Sequence, residues 1–325
     1  MIVAVTPNPA LDMTWRVPRI VPGGTHRADA GRVRAGGKGV NVARVAHAQG
    51  AAALALTTVG GATGEEFAAE LAASGVRHGL VPVAAATRRS VALVDEELGD
   101  TTIVNERGEN PSPAEWDALR AAVASALSSS AGAVSGTGGA PVLVVSGSLP
   151  PGAPADLLPG LIRIGRDAGA VVIADTSGPA LLAAAGAGAA VLKPNAAELA
   201  DATGIADPVA GARELLRRGA GLILLSRGAD GMLAITADDV WRARLATPLS
   251  GNPTGAGDAG VAAAAVLLAQ GVTDPEALLR RATAWSAAAV LMPLAGEIHP
   301  SWPDLEAALL ADHPDASGAA RKDPR

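Results

Sequence analysis

Short aliphatic runs recur along this chain with helical stretches between them, and that alternation limits the possible folds more than any other feature. The runs are IVAV at 2–5, ALALTTV at 53–59, PVLVVSG at 141–147, AVVIADT at 170–176, AAVLKPN at 189–195 and GLILLSRG at 221–228. Helical patterns fill 38–49, 63–74, 113–127, 154–167, 207–218, 257–270 and 275–291. A strand, a helix and a further strand form the parallel crossover unit. The runs beginning at 141, 170, 189 and 221 are nearly continuous in apolar residues, as expected of strands covered on both faces. The pattern predicts an α/β fold, a doubly wound three-layer αβα sandwich.

Two stretches break the rhythm, residues 12–37 and 88–106. They alternate apolar with polar residues, carry turn signals and lack helical period, so they read as antiparallel strands of a small β lid outside the main sheet. Residues 128–140, SSSAGAVSGTGGA, are small and flexible and read as a surface loop, because the strand–helix rhythm resumes beyond them. We expect one domain over residues 1–312, with 313–325 as a disordered tail.

Composition removes several function classes. A formal net charge of -6 argues against a chain held to nucleic acid or to an acidic membrane by its overall field, so an anionic ligand needs a local site. Cysteine is absent, which excludes disulfides and thiolate chemistry, and the five histidines show no paired metal-ligand spacing. The start MIVAVTPNPALD has no basic segment and is broken by prolines, so it does not read as a signal peptide, and a cytoplasmic location is expected. Of 26 basic residues only Lys38, Lys193 and Lys322 are lysine. A lysine retained against that bias is a candidate for work that arginine's planar fork cannot do.

Four segments carry candidate chemistry. In GNPTGAGDAGVAAAAVLL at 251–268, the turn Gly255, Ala256 and Gly257 leads into a helix starting near Asp258. Unpaired amides at such a helix start bind anions, and a carboxylate beside them, kept ionised by that field, is placed to take a proton from an attacking hydroxyl. Taken alone, Asp258 reads first as an N-terminal helix residue interacting with the dipole. The same letters satisfy G-x-G-x-x-G, but no strand runs directly into the turn and Pro253 interrupts the approach. Near the N-terminus, AGGKGVNVAR sets Gly37, Lys38 and Asn41 at the start of an amphipathic helix as donors for a polar substrate. In VLKPNAAEL, Lys193, Asn195 and Glu198 follow a buried strand; by spacing alone Asn195 and Glu198 form an ordinary capping box. In LLSRGADGM, Ser226 and Gly228 sit at the neighbouring strand end. No Walker loop and no G-x-S-x-G elbow is present.

In order along the chain, TPNPALD, GGKGVNVAR, GGATG, the Thr-Arg at 87–88, VSGSLPPG, KPNAAEL, SRGADG and TGAGDA resemble the ribokinase-like PfkB family of sugar kinases, and within it the hexose-phosphate branch. The resemblance covers nearly the whole chain to about residue 295. It implies a Rossmann-like sheet with a β lid, MgATP as phosphoryl donor and a ketohexose phosphate as acceptor. Fructose 1-phosphate ranks first, then tagatose 6-phosphate or fructose 6-phosphate; the alternative from another class is a non-catalytic sugar- or nucleotide-binding regulator. By that resemblance Asp258 is the base and the amides of residues 255–258 form the anion hole. Asn195 and Glu198 organise Mg²⁺, through water. Lys193, Ser226 and Gly228 serve the nucleotide phosphates, while Asp12, Gly37, Lys38 and Asn41 serve the sugar. Arg88 grips the substrate's own phosphate, with Arg27 as a second cation. A homodimer through the lid is expected from the resemblance and from alternating strands that need cover.

Overall fold

A computed structural model describes residues 1–131 and 139–313. In chain order the strands are β1 (Ile2–Thr6), β2 (Ala10–Val17), β3 (Arg32–Gly36), β4 (Ala53–Val59), β5 (His78–Pro82), β6 (Arg88–Asp95), β7 (Asp100–Asn105), β8 (Val142–Ser146), β9 (Val171–Asp175), β10 (Val191–Leu192), β11 (Leu222–Ser226), β12 (Met232–Ile235), β13 (Val240–Arg244) and β14 (Leu310–Asp312). The helices are α1 (Lys38–Ala48), α2 (Gly61–Ala73), α3 (Pro113–Ala131), α4 (Leu157–Asp167), α5 (Pro179–Gly186), α6 (Ala196–Thr203), α7 (Pro208–Arg218), α8 (Ala256–Ala269), α9 (Pro275–Val290) and α10 (Trp302–Ala307).

Ten strands form one sheet in the order β14-β13-β12-β11-β10-β9-β8-β1-β4-β5. Pairing is parallel from β11 to β5 and antiparallel from β11 to β14. Alternation within β1 shows how the layers are filled. Ile2 and Ala4 enter one apolar cluster with α1, α2, α8 and α9, whereas Val3 and Val5 enter a second with α3, α4, α5 and α7. Strands buried on both faces must be apolar at every position, which is why these runs stand out in the sequence. Helix α8 is buried at every residue from 258 to 268. Its alanines let it pack closely against α1 and α9, and a helix apolar all round belongs inside.

The lid is a separate four-stranded sheet in the order β3-β2-β6-β7. Its outer pairs are antiparallel as expected, but the central pair β2–β6 is parallel, in register from Ala10↔Arg88 to Val17↔Asp95. The chain runs through β3, α1, β4, α2 and β5 before returning to β6, and so long a connection permits parallel pairing. Residues 128–131, expected in a loop, complete α3, and the rest of that stretch through 138 lies outside the described residues. The expected tail falls outside them from residue 314 onward. The strands at 78–82, 232–244 and 310–312 and the short helix α5 go beyond the sequence reading. Among the described residues no helix is long and apolar enough to cross a membrane.

Candidate active site

The carboxyl ends of β1, β8, β9, β10 and β11 meet the inner face of the lid across a cleft of about 1040 Å³. In an open α/β sheet this edge is where ligands bind. Asp12, Gly37, Lys38, Asn41, Arg88, Lys193, Asn195, Glu198, Ser226, Gly228 and residues 255–258 all line it. Arg27 does not: it is exposed in the segment between β2 and β3, outside the cleft of its own chain.

Helix α8 begins at Ala256, one to two residues earlier than expected, with Gly255 as its N-cap at φ 85°. A side chain at Gly255 would be strained by that φ, and its Cβ would lie 2.8 Å from Ala295 Cα. At Gly257 a Cβ would come within 3.1 Å of Lys193 Nζ, so the glycine admits the ammonium to the helix start. The Ala256 N–H donates to the Pro253 carbonyl at 3.2 Å, which removes it from the expected set of anion donors. The amides of Gly255, Gly257 and Asp258 remain as the orphan donors of this helix end.

Asp258 occupies the third helical position, 6% exposed. Asn41 Nδ2 donates to its Oδ2 at 2.8 Å, so Asn41 holds the carboxylate in place. Burial, followed by the nearby Asp175 charge, pushes the Asp258 carboxyl up from 3.8 to about 7 against the pull of Lys38, the Asn41 hydrogen bond and Lys193. The helix-start environment therefore does not keep it fully ionised, as the sequence suggested. Desolvation and a like charge outweigh the amides. A carboxyl titrating near neutrality suits reversible proton transfer.

Lys38 Nζ lies 3.3 Å from both Asp175 carboxylate oxygens and 4.0 Å from Glu198 Oε1. The Asp175 charge raises its pKa further above the usual lysine value, against burial. Burial alone would push the Asp175 carboxyl up, but Lys38, Lys193 and the hydrogen bond donated by Ser146 Oγ at 2.9 Å hold it below the usual carboxylate range. Asn195 and Glu198 form the reciprocal capping box of α6: the Glu198 amide donates to Asn195 Oδ1 at 2.8 Å, and the Asn195 amide donates to Glu198 Oε2 at 2.9 Å. The cap and a cleft-facing role coexist, because Glu198 Oε1 points toward Lys38. Ser226 closes β11, and Gly228 opens a short 3-10 turn at φ 58°.

On the lid, Asp12 and Arg88 project from β2 and β6 into the cleft. Burial pushes Asp12 up to about 6, opposed chiefly by Arg88 and then by Arg34 and Arg44. Arg88 is held by carbonyls: Nη1 donates to Glu106 O at 3.1 Å, and Nε and Nη2 donate to Asn8 O at 3.4 Å. Asn8 in turn donates to Arg107 O at 3.1 Å and Ser148 Oγ at 3.4 Å, tying the lid to the sheet edge. Asp175 and Asn8 are the residues that the sequence reading passed over. A carboxylate ending the apolar run AVVIADT is the same signal that marked Lys193, and it was available.

A buried carboxyl, an ammonium and free helix-start amides converge in a cleft whose lid carries a guanidinium, an arrangement of the kind that phosphoryl transfer to an anionic acceptor requires. Residues 10–302 match the pfkB family carbohydrate kinase, and the chain belongs to that family. Similar proteins include a 1-phosphofructokinase of Xanthomonas campestris pv. campestris, 36% identical over 87% of this chain and 89% of that one. An ATP-dependent 6-phosphofructokinase isozyme 2 of Mycobacterium tuberculosis is 35% identical over 83% of this chain and 78% of that one. The crystal structure of phosphofructokinase-2 from Escherichia coli in complex with fructose-6-phosphate superposes with a TM-score of 0.82 at 30% identity, covering 94% and 98% of the two chains. The chain is a ribokinase-like sugar-phosphate kinase that uses ATP as phosphoryl donor.

Proposed function

We propose that this enzyme transfers the terminal phosphoryl group of ATP to the free primary hydroxyl of fructose 1-phosphate, giving fructose 1,6-bisphosphate and ADP. The observation that carries the chemistry is Asp258, a buried carboxyl pushed to about 7 at a helix start whose amides face the same cleft. Asp258 takes the hydroxyl proton as the new P–O bond forms and the bond to ADP breaks. The amides of Gly255, Gly257 and Asp258, with Lys193, bind the oxygens of the group in flight. Ser226 and Gly228 serve the nucleotide phosphates. Asp12, the Gly37 turn and Lys38 orient the sugar, and Arg88 grips the phosphate already on it.

Mg²⁺ fits the donor set at Glu198. This ion keeps several waters and binds through one or two carboxylates together with substrate phosphates, and Glu198 Oε1 is the free carboxylate oxygen on that side. Asn195, whose side-chain oxygen already caps α6, would act through water. When bound, the ion supplies neutralisation of phosphate charge. Among the described residues no cluster of three or more His, Cys, Asp or Glu groups could hold a metal ion.

Residues 1–312 act as one catalytic unit in the cytoplasm, paired with a second copy through the lid. Leu98 in the β6–β7 turn and Ile103 and Val104 on β7 are exposed there at 72%, 44% and 60%, and among the described residues no further strand covers the β7 edge. Fructose 1-phosphate is favoured over fructose 6-phosphate by the relative quoted first and by the sequence pattern TPNPALD with the lysine of GGKG. The deciding experiment is coupled ADP release with MgATP against fructose 1-phosphate, fructose 6-phosphate, tagatose 6-phosphate, fructose and ribose. The reading requires the highest kcat/KM for fructose 1-phosphate. A preference for an unphosphorylated sugar would remove Arg88 from its role.

A further inference from the structure

Three arginines converge where no function has yet been assigned. Arg242 and Arg244 alternate along β13 and therefore project from one face of it, and Arg227 lies in the turn joining β11 to β12. Together they line a cavity of about 350 Å³ on the antiparallel side of the sheet. Among the described residues none of the three forms an ion pair, although Asp312 stands opposite Arg242 in the strand register and Asp230 lines the same cavity. The hydrogen bonds they donate go only to backbone carbonyls, from Arg227 to Asp230 at 3.2 Å and from Arg244 to Leu245 at 3.5 Å. The Nε groups of Arg227 and Arg242 are buried with no partner at all. Burial, followed by the charge of Arg242, pushes the Arg227 guanidinium below its usual pKa, so the two cations are close enough to repel each other.

A buried N–H without a partner and like charges held together both disfavour the ligand-free arrangement, and a multiply charged anion relieves both. We propose that this cavity is a second anion site that takes a small phosphate-bearing molecule beside the nucleotide end of the main cleft. Guanidinium forks match phosphate oxygens in pairs, and three of them suit a dianion better than a carboxylate. Ala229, Leu245 and Pro248 line both this cavity and the main cleft, so the bound molecule lies against the nucleotide and away from the Arg88 side of the lid.

The test is calorimetric titration of inorganic phosphate, at constant ionic strength, into enzyme saturated with ADP. Wild type is compared with an Arg242→Ala/Arg244→Ala double variant and with Arg88→Ala. The site requires a binding component in wild type that persists in Arg88→Ala and weakens at least about tenfold in the double variant. Indistinguishable isotherms for wild type and the double variant would overturn it, whether or not phosphate binds elsewhere. If the double variant melts early, Arg242→Lys/Arg244→Lys keeps the charge and loses the forks. Several-fold weaker binding is then expected, and unchanged binding counts against the site.

Discussion

At the carboxyl edge of the large sheet, Asp175 is 1% exposed and Asp258 6%, whereas on lid strand β7 Ile103 is 44% exposed and Val104 60%. The two regions border the same cleft. Along the sheet edge the charges find partners within the chain: Lys38 pairs with Asp175 and Glu198, the Ser146 hydroxyl donates to Asp175 and the Asn41 amide donates to Asp258. The lid has four strands with no helix of its own, and apolar side chains remain on its surface. One face of it packs on the chain, with Leu11 and Ala35 buried beside Phe67 and Leu71 of α2, and the apolar residues of β7 stay outside that packing. The difference teaches that the polar groups of the sheet edge are partnered inside one chain, while the lid presents apolar side chains that this chain leaves uncovered among the described residues.

The largest effect should follow from breaking the sheet edge. Asp258→Asn removes the proton acceptor and keeps an oxygen for the Asn41 amide, so kcat should fall about 10³-fold with little change in sugar-phosphate affinity, read by steady-state kinetics and calorimetry. The same variant should be more stable than wild type at pH 8. Because the folded pKa of about 7 lies above the ordinary 3.8, the stability contributed by protonating Asp258 is complete below about 3.8 and is lost as pH rises through about 7. Melting curves at pH 5 and pH 8 check that sign: the gain should be clearly larger at the higher pH, because pH 5 lies only part-way through the window.

On the lid, Arg88→Ala should raise KM for the sugar phosphate about 10- to 100-fold while kcat changes much less, since a charge-assisted contact is lost from both ground and transition states. A comparable loss in kcat would place Arg88 among the groups acting on the phosphoryl in flight and blur the division between the regions. Lys38→Met sharpens the comparison through stability. It leaves Asp175 buried with only Lys193 and Ser146 to offset it, and unfolding by urea should show a loss of about 2 kcal/mol, less than for a fully buried pair because Lys38 is 39% exposed. The smallest expected change is Val104→Asp, which should shift sedimentation toward the monomer and leave the Asp258 environment untouched. A variant that stays dimeric would contradict the lid as the covered surface.

The same contrast explains what could be read from the sequence. Runs such as VLVVS and LILLS are apolar at every position because helices cover both faces of the sheet, so they and the residues at their ends, Lys193 and Ser226, stand out. Strand β13 carries Arg242 and Arg244, and β14 pairs with it from far along the chain, so neither announces itself locally. The parallel β2–β6 pairing depends on a crossover through the main sheet, which no local alternation reveals. Gly255 marks the start of α8 only through its positive φ, and the sequence alone therefore placed the helix start one to two residues late. Asp258 was visible as a carboxylate beside glycines; its elevated pKa was not, because that depends first on burial by distant elements and then on the Asp175 charge at the end of β9.

The central claim is that this sheet edge, within one chain and before substrate arrives, sets Asp258 as a base near neutral pH. Carbon-13 NMR titration of aspartate-labelled enzyme, with the Asp258 signal identified by its loss in Asp258→Asn, measures this directly. The account predicts a midpoint near pH 7. A midpoint close to 4 would show the carboxyl as an ordinary solvated helix-start acid and would contradict the assignment.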